Sequence, residues 1–485
     1  MMRTTDELLA AHMCARDQVT LASDTTTGAK AVTARSLSRR QVLGGFGALT
    51  AAALLTACTQ SQPPAPGAGG TPATGGAPAV NPSVTPAKLG NVTNGIDEVQ
   101  VWQEEFYKDL HRHPDLWGEE RRTAGKVTAK LQEIGADEVL QIGGGVVGIF
   151  RNGDGRRVLF RADMDALPVT EATNLDYASQ EPGKMHACGH DTHVAAGLAA
   201  AALLARNKSE WAGTYLALFQ PGEETGKGAQ AMVDDGLVTK LAANKPDVCL
   251  AQHVLNVPAS GQVATRSGAV LSAGDSLKVT VFGKGTHGAL PHLGVDPAVL
   301  ASSIVMRLQG IVAREIAPSD FGVVTVGAMK VGTAPNVISD QAELLLNVRA
   351  YDLAVRDKLL KGIDRIVRAE CQASGSPKEP TIETIASFPL TINDAQVTDA
   401  VTKAFTQAFG GARVQQLAPI PASEDFSVIP TAFGVPYTFW GHGAFLPGAP
   451  TVANHNPTFA PAIQPTLRTG TEAAIAATLA YVGKS

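Results

Sequence analysis

The 485-residue sequence predicts an α/β protein of two folded units, the smaller inserted into the larger. Three observations carry this reading. Between residues 97 and 270, short continuous apolar runs alternate with helical stretches. After Leu271 the strand-like segments alternate apolar and polar residues instead. Beyond about Phe388 the first texture returns. A continuous run marks a strand covered on both faces, and an alternating one marks a strand with one face exposed. The returning texture makes the large domain discontinuous, an open α/β sheet interrupted by an insert.

Taken in chain order, the N-terminal region reads as an address. "SLSRRQVLGGFGALTAAALLTAC", residues 36–58, sets Arg39 and Arg40 before a small-residue apolar stretch too short to span a bilayer comfortably. The arginine pair resembles a twin-arginine export signal, and "LTAC" resembles a lipobox that is cut and acylated at its cysteine. Residues 1–58 are therefore expected to be a lipoprotein signal, which makes the protein an exported, cell-envelope lipoprotein touching the membrane only through lipid on Cys58. An uncleaved membrane anchor is the alternative. Residues 59–95 are nearly free of charge and of large apolar side chains, too little to offset backbone entropy by burial, and are expected to form a flexible tether.

The large domain's first part, 96–270, opens with two helices from "VQVWQEEFYKDLHRHPDL" onward. Its strand candidates are "VVGIF", "RVLFRAD", "TYLALFQP" and "DVCLAQHV", with the helix "AGLAAAALLARN" among them. The insert, 271–387, runs strand "SLKVTVFGK", helix "DPAVLASSIVMRLQGIVAREI" with Pro297 in its first turn, strands "FGVVTVGAMKVG" and "QAELLLNVRAY", helix "LAVRDKLLKGIDRIVRAECQA", and strand "PTIETI". That β-α-β-β-α-β order is the split ferredoxin-like unit. The remainder, 388–485, ends in the helix "TLRTGTEAAIAATLAYVG".

Composition narrows the function classes. The net charge is -5 and no long basic run occurs, so no nucleic-acid partner is expected. The insert's strands lack the paired aromatics of an RNA-binding sheet. Five cysteines without a CxxC pair argue against a disulfide scaffold.

The densest chemistry is "KMHACGHDTH", Lys184 to His193. Cys188 and His190 would diverge by about 200° on a helix, whereas in an extended loop both can face one point. A thiolate and an imidazole so placed suit a borderline-soft divalent ion. Alone the pair is weak, since cysteines and histidines also fill cores. Other strand ends strengthen it: Asp163 and Asp165 after "RVLF", Glu223 and Glu224 after "TYLALFQPG", His253 in "DVCLAQHV", and His455 in a Pro-flanked loop. Ligand groups gather at the carboxyl ends of strands in open α/β sheets. Buried carboxylates need partners, and a metal pair would supply them.

"FRADMDALPVTE", "MHACGHDTHVA", "FQPGEE", "GKGTHGALPH" with "DPAVLAS", "PNVIS", "SEDFS" and "HNPTF" occur in this order. Together they resemble the zinc-type amidohydrolase and metallopeptidase family of aminoacylases and glutamate carboxypeptidases, more narrowly its hippurate hydrolase and indole-acetyl-amino-acid hydrolase branch. The resemblance covers the chain from Asp97 onward. It departs in "FQPGEE", where Gly222 stands before the Glu pair and the branch more often has Ala, and in Ser339, where it usually has Pro, neither of which removes a functional side chain.

The resemblance implies an α/β catalytic domain with a two-metal site and a lid that forms a homodimer. It puts Cys188, His190, Glu224, His253 and His455 on the metal ligands, with Cys188 as the candidate bridge, and Glu223 on the general base. Asp165 falls on the carboxylate paired with that site. His287 matches a histidine reaching the partner subunit's site, Asn336 an amide holding the oxyanion or substrate, and Arg349 a fork for the substrate carboxylate. His186 and His193 match no ligand position and are read as packing, Asp191 as a cap of the following helix, and His442 as structural. Two divalent ions are implied, zinc first, with manganese or cobalt as replacements. The expected activity is hydrolysis of a small-molecule N-acyl amino acid. A dipeptidase or carboxypeptidase of the same family is the nearest alternative, and a non-catalytic metal- or solute-binding envelope lipoprotein is the more distant one.

Overall fold

The computed structural model describes residues 89–484, so the expected signal and residues 59–88 of the expected tether lie outside the described residues. Folding begins before the expected end of the tether at residue 95. Leu89–Val92 forms one helical turn, Val92 is fully buried, and its carbonyl accepts the Asn207 side-chain amide at 2.8 Å. The low charge of the segment concealed a docked turn.

The large domain is built on an eight-stranded sheet in the order Glu138–Ile142, Gly145–Asn152, Gly213–Gln220, Arg157–Asp163, Val248–Leu255, Tyr437–Gly443, Val263–Thr265, Val414–Gln416. The central four strands, from Gly213–Gln220 to Tyr437–Gly443, are mutually parallel. Their side chains divide between two cores. Val158, Phe160, Tyr215, Ala217 and Leu250 join the core under helices Ile96–Arg112, His190–Arg206 and Ile463–Val482. Leu159, Leu216, Leu218, Cys249 and Ala251 join the core on the opposite face, with Met232, Ile429 and Phe433. This two-sided burial is why the runs are continuously apolar.

The four strands expected in this domain are present. Glu138–Ile142 escaped notice because it is an edge strand carrying polar residues, and Val263–Thr265 and Val414–Gln416 are too short to show a period. Tyr437–Gly443 is fully buried save its first residue, but "YTFWGHG" mixes glycine and histidine into its run.

The insert is a four-stranded antiparallel sheet in the order Gly322–Val331, Gln341–Ala350, Ala273–Phe282, Thr381–Phe388. Helices Pro297–Arg314 and Leu353–Ala373 pack together on it and share a core of their own. Asp296 and Asp352 cap these helices by accepting backbone N–H groups of the first turn, at 2.8–2.9 Å. A separate two-stranded ribbon, Thr286–His287 with Val337–Ile338, projects from the same unit. No helix among the described residues is long and apolar enough to cross a membrane.

Candidate metal centre

The carboxyl ends of the central strands deliver the donors. Cys188 and His190 do not sit in one extended loop. Cys188 precedes Gly189, and His190 begins the helix His190–Arg206. Gly189 has a left-handed φ of 85°, and a Cβ there would lie 2.5 Å from the Val254 side chain. The reversal it permits turns both flanking side chains inward.

The two inner histidines hold defined tautomers. His190 donates through Nδ1 to the Asp165 carbonyl at 2.8 Å, and His253 donates through Nδ1 to the Val254 carbonyl at 2.7 Å. Each therefore leaves Nε2 for a cation, as a lone pair on His253 and, on His190, once that ring gives up its second proton. His253 Nε2 lies 3.4 Å from Cys188 Sγ. His190 Nε2 is buried without a hydrogen-bond partner, 3.8 Å from Glu223 and 3.9 Å from Glu224. His455 Nε2 stands 3.3 Å from Glu224 Oε1. The donor atoms of Cys188, Glu224 and His455 lie within 4.8 Å of one another, as do those of His190, Glu223 and Glu224. All five expected ligands are thus in one neighbourhood: Glu224 links the two groups, and His253 joins through Cys188.

The remaining histidines are accounted for differently. His193 spends both ring nitrogens, Nδ1 on Asp163 at 2.5 Å and Nε2 on the Val254 N–H at 2.8 Å. His186 and His442 are buried, and burial lowers them to about 4 and about 3 respectively. Asp191 is not the helix cap, which is Gly189. It lies in the first turn, accepting the Thr192 N–H and facing His111 Nδ1 at 2.6 Å.

Below the donors lies a buried charge cluster centred on Arg161. Its guanidinium binds Asp163 at 2.6 Å, Glu424 at 2.7 Å and Gln220 at 2.9 Å, with Asp425 at 3.4 Å. Asp165 accepts the Glu224 N–H at 3.0 Å through its carboxylate, so it holds both Glu224 and His190. Asp163, Asp165, Glu223, Glu224, Glu424 and Asp425 together carry far more negative charge than one arginine balances. Burial, with Glu424 and Glu224 nearby, pushes Glu223 well above the usual carboxylate range. Burial, with Glu224 and Glu223, pushes the Cys188 thiol well up. Burial works against charge on His190, yet Asp163 and Asp165 hold it up to about 10. Such an acid-rich pocket, with Nε2 lone pairs and a thiol pointing into it, fits divalent cations, which would discharge these conflicts.

The donors open onto a cavity of about 880 Å³, lined also by Arg349 and by Leu255, Leu271, Phe388, Leu417, Ile420 and Phe439. Arg349 bonds to Asn347 at 2.9 Å, the Pro421 carbonyl at 2.8 Å and Ser423 at 3.1 Å, all neutral groups. It has no carboxylate partner among the described residues, and partial burial holds it below its usual range. His287 and Asn336 are brought together on the exposed ribbon, where the Gly288 N–H donates to the Asn336 carbonyl at 2.7 Å. Neither lines this cavity in its own chain.

Sequence reasoning passed over several supporting residues. Arg161 was visible as a charge inside a doubly covered strand, a placement that demands acid partners. Glu120, which accepts the Gly222 N–H at 3.0 Å just before the Glu pair, and Asn454, beside His455, carried no comparable signal.

This fold and this cluster define a class. The sequence profile of peptidase family M20/M25/M40 matches residues 159–478, and the chain belongs to that family. It is accordingly a metal-dependent amide hydrolase. Among its relatives are thermostable carboxypeptidase 2 of Saccharolobus solfataricus, 36% identical over 69% of this chain and 84% of that protein, and hippurate hydrolase of Campylobacter jejuni, 35% identical over 69% and 87%. A solved Bacillus subtilis structure, described as a dinuclear metal binding peptidase of the M20 family, aligns with a TM-score of 0.66 at 26% identity, covering 79% of this chain and 98% of that one.

Proposed function

We propose that the protein cleaves N-acyl or N-aroyl amino acids into a carboxylic acid and an amino acid. Cys188, His190, Glu224, His253 and His455 would hold two divalent cations, zinc first because of the thiolate and imidazoles. The observation that carries the reading is the unequal pair at Glu223 and Glu224. Glu224 meets His455 at 3.3 Å, while the nearest imidazole nitrogen to Glu223 stands 3.8 Å away, in the same cavity. A binding protein has no use for the second acid.

Divalent cations bound here would supply Lewis acidity, bringing water towards a pKa of about 7 and polarising the amide carbonyl. Glu223 takes the proton that water loses on attack and returns it to the leaving nitrogen. Asp165 keeps Glu224 and the His190 ring in register. Arg349 turns its free amino group to the substrate carboxylate, the anion its neutral neighbours do not provide. The apolar wall receives the acyl group. A free ammonium against that wall would be desolvated without a partner, which favours acylated substrates over dipeptides.

His287 and Asn336 act in the partner subunit's site of a homodimer formed through the insert, which accords with their exposure away from their own cavity. Arg39, Arg40 and Cys58 support export and lipid anchoring at the cell envelope.

The test is a screen of N-benzoyl, N-acetyl and indole-acetyl amino acids against dipeptides, using chelated and metal-restored protein. N-acyl substrates should be cleaved only after metal is restored. Glu223→Gln should retain two equivalents of metal while turnover falls about a hundredfold to ten-thousandfold. Metal-restored protein inert towards every N-acyl substrate sinks the proposal, and undiminished turnover in Glu223→Gln removes the base.

A further inference from the structure

Two residues outside the donor set tie the donors together, and they act on different donors. Asp165 serves His190 through its backbone carbonyl and Glu224 through its carboxylate. The other is Asn454. Its Nδ2 lies 3.0 Å from the Cys188 carbonyl, 3.2 Å from the Val254 carbonyl and 3.9 Å from Cys188 Sγ. All three neighbours accept hydrogen bonds, so the amide presents its NH₂ to them.

The Val254 carbonyl is the same one that takes the Nδ1 proton of His253, at 2.7 Å. Asn454 therefore shares the acceptor that fixes the tautomer and aim of that ligand. Its neighbour His455 is pinned alongside. The His455 backbone N–H donates to the Ala187 carbonyl at 2.8 Å, and the residue sits at a left-handed φ of 70°, which a non-glycine adopts only when its surroundings impose it. An asparagine in a loop ordinarily bonds to its own turn. Here the partners are 266 and 200 positions distant in the chain, so the bonds join segments rather than close a turn.

We infer that Asn454 is a positioning residue of the metal centre: it sets the spacing of Cys188, His253 and His455, and so controls how tightly that side of the site holds its cation. This rests on the metal reading above. The chemistry at Glu223 does not pass through it.

The test uses Asn454→Ala and Asn454→Asp in the full chain, loaded with cobalt(II) in competition with a chromophoric chelator. Cobalt affinity should fall about tenfold to a hundredfold. The thiolate-to-cobalt absorption should shift or weaken, while the metal-free protein stays folded with its unfolding temperature lowered by no more than a few degrees. Asn454→Asp should be the worse of the two, since a carboxylate would face two carbonyls. Wild-type affinity and spectrum in both variants overturn the inference. If Asn454→Ala does not fold, Asn454→Ser, whose hydroxyl is too short to span both carbonyls, carries the same test. Cys188→Ala separates the two readings. If it binds cobalt as the wild type does, the metal site itself is misread; if it loses cobalt while Asn454→Ala keeps it, the positioning role alone fails.

Discussion

Replacing Gly222 by alanine would put a Cβ 2.0 Å from Trp117 Cε3 and 2.4 Å from Cζ3. Ordinary contact begins at 3.4 Å, so ring or turn must give by 3.4 − 2.0 = 1.4 Å. The turn has little freedom to do so. Its N–H is bound to Glu120 at 3.0 Å, and its carbonyl accepts the Gly228 N–H and the Thr225 hydroxyl, both at 3.1 Å. The left-handed φ of 56° adds about 1–2 kcal/mol for any residue with a Cβ. Glu223 is the next residue, and a base displaced by about 1 Å costs on the order of a hundredfold in rate. Gly222→Ala should therefore lower kcat on an N-benzoyl amino acid by about a hundredfold. Adding Trp117→Ala should recover most of that loss when measured against Trp117→Ala alone. A Gly222→Ala enzyme within about threefold of wild type, or a double variant no better than the single, would refute the argument that this contact aims the base.

Two further outcomes follow, one from a buried ion pair and one from an arginine without an acid partner among the described residues. Burial opposes charge on His111, but hydrogen bonds to Asp191 and Glu171 hold it up to about 9. Its value in the unfolded chain is about 6.5, so the stabilisation is complete below pH 6.5 and disappears as pH rises towards 9, roughly 3 kcal/mol in all. Denaturation of metal-free protein at pH 6 and pH 9 should show the wild type losing about that much more than His111→Gln, and equal losses would contradict the assignment. Arg349→Met should raise KM for a free-carboxylate substrate about tenfold to a hundredfold, from the loss of a charged hydrogen bond. The corresponding N-benzoyl amino-acid amide should be unaffected, and a parallel rise for both substrates would exclude carboxylate recognition.

Much of this arrangement could be read before any coordinates. Strands buried on two faces declare themselves as unbroken apolar runs, and the acids and imidazoles at their ends stand out because nothing in a core calls for them. Glu224 and His253 were legible on that ground, Cys188 only when taken with them and with the family resemblance, and the long helix Leu353–Ala373 on its period and its Asp352 cap. What escaped was pairing at a distance. Arg161 and Glu424 are 263 positions apart, His111 and Asp191 80 apart, and Asp163 and His193 30 apart. Nothing local links such partners, because each looks like an ordinary polar residue until strand order sets it beside the other. The turn at Gly189 was misjudged for a related reason: Val254 and Phe459 approach it from other segments so closely that only a residue without a Cβ fits.

The sequence by itself determined which residues can do chemistry and on which kind of element they sit, since periodicity and side-chain type are local properties. The tertiary structure alone decided which way those groups point and which of them are free. His190 and His253 offer Nε2 because carbonyls from the folded chain occupy Nδ1, whereas His193, three residues beyond His190 on the same helix, has both nitrogens taken. An imidazole becomes a donor or a strut according to its partners: the Val254 carbonyl beside His253 is a chain neighbour, but Asp165 at His190, and Asp163 and Val254 at His193, are 25, 30 and 61 positions away and are brought there by the fold.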